Sequence, residues 1–223
     1  MESEFWHECW EQGRLGFHQE DYNRHMVRFF PGLNLAHGAH VLVPLCGKSR
    51  DMLWLREQGY RVTGIELSER AVGDFFEENA LDAGIREIDG GTAWKTGTLE
   101  ILCCDLFETG LDVLDPVDAV YDRAALPALP GYMRREYATL MTQHLPLNTI
   151  TLLLAMEYPQ QQMEGPPFSV SPAEIEMLFG LDHEIDVLRS EACLDTHARW
   201  KDRGLTRLVE NVYRLQKIRN PSP

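Results

Sequence analysis

Long apolar runs are missing from this chain. No stretch reaches the roughly 18 consecutive apolar residues that a membrane helix needs, so no membrane partner is expected. The N-terminal "MESEFWHECW" has no apolar signal core either. Cysteine is sparse and scattered, at Cys9, Cys46, Cys103, Cys104 and Cys193. No Cys-x-x-Cys pair occurs and no Cys/His cluster has zinc spacing, so the thiols read as reduced and cytoplasmic. No carboxylate pair or His-Glu-x-x-His pattern marks a metal site, and catalysis is expected to need no metal. Basic residues are outnumbered: 21 Lys and Arg face 35 Asp and Glu, for a formal net charge of −14. Such a chain repels a phosphate backbone, which argues against a nucleic-acid partner. It favours a small molecule, including one that carries positive charge. Internal repeats, low-complexity segments and long heptad runs are absent too, and the chain reads as a monomer.

What is present is ordinary globular material, 44% hydrophobic and 25% charged over 223 residues. That is the size of a single domain. Residues 4–12 read as a short helix ended by Gly13, with Trp6 and Trp10 on one face. A second helix is expected over 21–30. Seven strands follow: "HVLVPL", "YRVTGIEL", "TLEILCCDLF", "PVDAVYDRAAL", "TITLLLAMEY", "HEIDVLRSEACL" and "LTRLVENVYRLQKI". Helices separate most of them: "SRDMLWLREQG", closed by Gly59; "SERAVGDFFEENALDAG", opened by Ser68; residues 132–144; and "SPAEIEMLFG". The alternation predicts an α/β fold, a doubly wound and mostly parallel sheet with helices on both faces. The last two strands, with no full helix between them, predict a terminal hairpin. The tail from about 218 reads as loose.

The chemistry concentrates where the first strand runs into "PLCGKS". A phosphate-binding P-loop needs Gly-x-x-x-x-Gly-Lys-Ser, and the position of its first glycine is Leu42, inside the strand. A dinucleotide turn needs Gly-x-Gly-x-x-Gly, and only Gly47 is there. A short turn with one glycine suits a ligand without phosphate at that point, such as S-adenosylmethionine. Glu66 ends the second strand. There it either accepts both ribose hydroxyls of such a ligand or caps the helix that follows. Asp105 and Leu106, at the tip of "ILCCDLF", are placed to meet an adenine amine and ring, or form an ordinary turn. Arg123 and Asp122, at the end of "DAVYDR", read as the catalytic pair: an acceptor-directing cation and a carboxylate that buffers its charge or contacts the acceptor. The plainer reading is a structural salt bridge of Arg123 with Asp122 or Glu66. A nucleotide-dependent oxidoreductase or a noncatalytic nucleotide-binding module is the competing class.

Five stretches taken together, "FWHECWEQGRLGFH", "PLCGKSRDMLWL", "VTGIELSERAV", "DAVYDRAAL" and "GPPFSVSPAEIEMLFG", resemble the bacterial thiopurine S-methyltransferases, in the family's order and over nearly the whole chain. The resemblance implies a seven-stranded Rossmann-like methyltransferase sheet, residues 1–223 as one domain, and an N-terminal cap of about 35 residues over the active site. It implies S-adenosylmethionine as methyl donor and an aromatic or heterocyclic thiol as acceptor. Selenium or tellurium compounds, or other small soft nucleophiles, are the alternative acceptors. Carried over by position, Trp10, Leu45, Glu66 and Arg123 match cofactor contacts, joined by Gly47, Asp105 and Leu106 from the reading above. Phe17 matches an acceptor-side aromatic and Arg199 a late acceptor-side arginine. Trp6 is left to packing, and His18 and His197 are given no catalytic role.

Overall fold

The computed structural model describes residues 3–13, 18–112, 114–123 and 125–220. Its contacts divide the chain into two compact units, Met1–Tyr121 and Asp122–Pro223.

The first unit begins with α1 (Ser3–Glu11), α2 (Arg24–Phe29) and a 3-10 turn at Phe30–Leu33. There follow β1 (His40–Pro44), α3 (Asp51–Glu57), β2 (Arg61–Glu66), α4 (Glu69–Glu78), β3 (Gly84–Ile88), β4 (Gly91–Thr96), β5 (Leu99–Cys103), α5 (Leu106–Thr109) and β6 (Ala119–Asp122). The strands run in the order β3-β4-β5-β2-β1-β6. β5, β2, β1 and β6 are mutually parallel, whereas β3 and β4 are antiparallel additions on the β5 side. Every residue of β1 is buried, as a central parallel strand requires. The N-terminal extension is anchored through Phe30, whose ring sits edge-on to Trp54, Tyr60 and Tyr121. Edge-on aromatic pairs of this kind contribute about 0.5–1.5 kcal/mol each beyond simple burial.

The second unit holds α6 (Ala125–Ala128), α7 (Gly131–His144), β7 (Ile150–Glu157), α8 (Pro172–Phe179), β8 (His183–Ala192), α9 (Ala198–Asp202) and β9 (Val209–Lys217). β9 pairs antiparallel with both β7 and β8, so the expected terminal hairpin is present. α8 opens as its sequence indicates, with the Ser171 hydroxyl accepting from the Glu174 amide and Pro172 at the first position.

Two expectations are corrected. The strands number nine among the described residues rather than seven, and the sheet is mixed. The helix read over "SERAVGDFFEENALDAG" stops at Glu78, and the chain beyond it forms the β3–β4 hairpin. α4 cannot continue because Ala80 takes a positive φ of 50°. The hairpin turns at Asp89-Gly90, with Gly90 at φ 77°. An Asp-Gly pair between short strands is a known hairpin signal, and it was the cue available in the sequence. Phe76 of α4 stacks on Trp94 of β4, ring centroids 5.7 Å apart, so the hairpin has its own apolar cover.

Candidate active site

In the first unit the parallel register sets the carboxyl ends of three strands side by side. Pro44 is level with Ile65, and Glu66 with Cys103. Ligands of open α/β sheets bind at such ends. Leu45, Gly47, Glu66, Asp105 and Leu106 all fall on this edge, so the structure brings together five of the expected residues.

The turn after β1 is held in an uncommon conformation. Leu45 has φ 46° and Gly47 φ 53°, both left-handed. For leucine that costs about 1–2 kcal/mol. Such strain persists only where the surroundings hold it, and it clusters at functional sites. The Cys46 amide donates to the Ile65 carbonyl at 2.9 Å. The Gly47 amide donates to Glu66 Oε2 at 2.8 Å, and the Ser68 amide to Glu66 Oε1 at 2.9 Å. Glu66 therefore clamps its own turn to the one after β1. Its carboxylate is buried, and burial raises its pKa against the lowering pull of the Ser68, Gly47 and Leu67 amides. Each oxygen has a second lone pair available for further acceptance. Gly64 makes the close approach possible: a Cβ there would lie 2.7 Å from Cys46 Sγ and 2.9 Å from Met52 Sδ.

Lys48 ends in no phosphate cradle. It is buried and ion-paired with Glu78 at the end of α4. Asp105 caps α5, accepting from the Phe107 amide at 2.8 Å, and Leu106 is buried behind it. The three cysteines of this edge all have their pKa raised. Burial and the Glu66 charge push Cys46 well up; burial first and then Glu66 push Cys103 up to about 11; burial raises Cys104. Trp10 is buried on α1, which packs against α4; Trp6 is only half-buried, its ring edge-on to Phe5. Phe17 lies outside the described residues.

Asp51 is a residue that the sequence reading passed over. It is buried at the first position of α3. Its Oδ1 accepts from the Asn23 amide at 2.7 Å and its Oδ2 from the Tyr121 hydroxyl at 2.9 Å. One carboxylate thus pins the start of α2, and with it the N-terminal extension, to the turn and to β6. The Arg50 guanidinium adds a bond to the Glu20 carbonyl at 2.8 Å.

In the second unit Asp122 faces inward. Its Oδ2 accepts from the Tyr137 hydroxyl at 2.7 Å and its Oδ1 from the Ala125 amide at 3.1 Å. Burial holds its pKa up at about 6. Asp122 thus orders the segment that carries Arg123, which is half-buried. Arg199 sits on α9 with its guanidinium 4.1 Å from the Trp200 ring centroid, and Arg203 lies 5.4 Å from the same ring. No helix among the described residues is long and apolar enough to cross a membrane.

Comparison with known proteins bears on this arrangement. The family model for thiopurine S-methyltransferase matches residues 1–218. The chain is 43% identical over 217 residues to the thiopurine S-methyltransferase of Bordetella petrii, covering 97% of this chain and 99% of that protein. It is 44% identical over 217 residues to that of Nitrosospira multiformis, covering 96% and 98%. Among solved structures, it superposes on the Burkholderia thailandensis 1,6-didemethyltoxoflavin-N1-methyltransferase with a TM-score of 0.64 at 16% identity, covering 97% of this chain and 87% of that one. That likeness speaks to the fold alone, but the match along the sequence runs nearly end to end: the chain belongs to the thiopurine S-methyltransferase family.

Proposed function

We propose that the protein transfers the methyl group of S-adenosylmethionine to the sulfur of small aromatic or heterocyclic thiols, thiopurines among them. One observation carries the cofactor reading. The turn after β1 has a single glycine, its lysine is consumed by Glu78, and its amide at Gly47 is directed to Glu66. That leaves no anion cradle, so a phosphate-bearing nucleotide fits poorly and a sulfonium nucleoside fits well. Glu66 takes the ribose hydroxyls, Asp105 and Leu106 the adenine, and Leu45, Gly47 and Trp10 the remainder of the donor.

S-adenosylmethionine supplies an electrophilic methyl on a cationic sulfur. The chain's own residues bind, orient and exclude water. Trp10 offers a ring face to positive charge. Aryl thiols are already acidic, so no strong general base is needed, and proximity and electrostatics carry the rate. Arg123, a permanent cation, is assigned the orientation of the thiolate, with Phe17 and Arg199 on the acceptor side. Asp122 positions the Arg123 segment rather than touching the acceptor. The raised pKa values of Cys46, Cys103 and Cys104 keep the protein's own thiols from competing for the methyl group. We read both units as one methyltransferase domain, since the family model spans them. We further propose a monomer that works in the cytoplasm, a compartment in which its five free cysteines would stay reduced.

The test pairs binding with turnover. A calorimetric titration should show S-adenosylmethionine bound, with ATP and NADH much weaker. Arg123→Ala should lower kcat/KM by about 2–4 kcal/mol in transition-state stabilisation, most steeply for aryl thiols that bind as thiolates. Arg123→Lys should retain part of the activity. Equal losses for ionised and neutral acceptors would move Arg123 away from the acceptor. Absence of any thioether product from a panel of aryl thiols would overturn the substrate class.

A further inference from the structure

Outside the proposed methyl-transfer machinery, the second unit gathers Cys193, His197 and Glu210. One ligand atom from each lies within 4.8 Å of those of the other two. We infer that these three residues form a binding site for a divalent transition cation of the zinc class.

The scaffold is built from backbone hydrogen bonds. Ala192, the last residue of β8, is in register with Val209 of β9, and the Cys193 amide donates to the Leu208 carbonyl at 3.0 Å. Cys193, the residue just after β8, and Glu210 of β9 are thereby held side by side at one end of the hairpin. Between them the chain makes a 3-10 turn over Leu194–Thr196, in which the Thr196 amide donates to Cys193 and the His197 amide to Leu194. That turn brings His197, four residues on, back over Cys193. Its Nε2 stands 3.5 Å from Glu210 Oε1.

Ligand identity selects the ion. A sulfur donor excludes magnesium and calcium as natural occupants, and a Cys, His, Glu set suits zinc or a neighbouring first-row divalent ion. Tetrahedral zinc places its ligand atoms roughly 3.3–3.6 Å apart. The His–Glu separation already meets that range, and the remaining gap closes by about an ångström of side-chain movement. Cys193 is buried while His197 and Glu210 are half-buried, so one flank is protein and the other is open to an incoming ion and a water ligand. On binding, the Cys193 thiol gives its proton to solvent, exchanges its contact with the Leu208 carbonyl, 3.8 Å away, for a metal–sulfur bond, and becomes a thiolate. Thiolate and carboxylate together balance a 2+ ion, and the chain's net charge of −14 attracts cations. Occupancy would fasten the 193–204 crossover, which carries Arg199 and Trp200, to the start of β9. The inference does not depend on the methyl-transfer reading.

The experiment uses the reduced, full-length protein with zinc and, as a spectroscopic stand-in, cobalt(II). Calorimetry should find one zinc per chain. Cobalt should give a thiolate-to-metal charge-transfer band together with tetrahedral visible bands. Cys193→Ser should remove the charge-transfer band, and Cys193→Ser, His197→Gln and Glu210→Gln should each weaken zinc at least about tenfold. Melting temperatures of the metal-free variants control for folding; should Cys193→Ser not fold, the two half-buried positions decide. No stoichiometric zinc, a charge-transfer band that persists in Cys193→Ser, or unchanged affinity in His197→Gln and Glu210→Gln overturns the site.

Discussion

Single side chains show how one group serves both scaffold and chemistry. Glu66 accepts two backbone amides while lying where a ribose is expected. Replacing it with glutamine turns one acceptor into an NH2 group facing an N–H, and removes charge from every bond that remains. Each hydrogen bond to a charged group contributes about 1.5–3 kcal/mol. Glu66→Gln should therefore raise the S-adenosylmethionine Kd at least about tenfold and lower the melting temperature as well, read by calorimetry and thermal unfolding. A lowered Tm with unchanged Kd would make Glu66 purely a clamp. Asp122 yields a prediction in pH. Its pKa rises from 3.8 to about 6 on folding, because burial penalises the charge. The folded state then holds the proton more tightly, so this residue's contribution is full below about pH 4 and is lost as pH rises towards 6 and beyond. The span corresponds to about 3 kcal/mol. Asp122→Asn should flatten that part of the profile of unfolding free energy in urea. If the difference between variant and wild type stays constant from pH 4 to pH 7, the shift is absent.

Among the elements, the β3–β4 hairpin owes its close approach to β5 to one glycine. A Cβ on Gly91 would lie 2.0 Å from the Cys103 carbonyl oxygen, and backbone cannot yield as a side chain can. Gly91→Ala should therefore cost at least about 2 kcal/mol by forcing β4 away from β5. Gly97, at φ 61° with no atom near its Cβ position, supplies the contrast. Gly97→Ala should cost only the left-handed strain, about 1 kcal/mol. Urea midpoints of the two variants compare them directly, and equal losses would show that crowding at Gly91 is relieved elsewhere. The N-terminal extension has a comparable dependence on Asp51, whose two oxygens hold a backbone amide and a buried hydroxyl.

For the molecule as a whole, the surplus of carboxylates sets a field. S-adenosylmethionine is cationic and its demethylated product is not, so the −14 charge should speed capture of the donor over the product. Screening shortens the reach of that field from about 30 Å at 0.01 M salt to about 3 Å at 1 M. The association rate for S-adenosylmethionine should accordingly fall across that range in stopped-flow measurements, and that for S-adenosylhomocysteine should change less. Parallel behaviour of both ligands would mean that the field does not steer capture.

Strand and helix alternation, the one-glycine turn after β1 and the acidic tip of β2 were legible in the sequence, because hydrophobic periodicity and turn chemistry are local properties. The helix starts at Ser68 and Ser171 were legible for the same reason, since each cap spans only three residues. The stop of α4 at Glu78 and the hairpin after it were not. The stretch 79–90 carries mixed polarity, and its pairing is decided by β5 and by the Phe76–Trp94 stack. Nor did residue type say which way a carboxylate faces. Asp51, read as part of a helix, joins three segments, and Asp122, read as catalytic, turns towards Tyr137. Those outcomes, and the meeting of Cys193 and His197 with Glu210, depend on partners 13 to 70 residues away. Local sequence determines which elements form; only long-range packing decides which buried polar atoms find one another, since each must be satisfied by whatever the fold brings within reach.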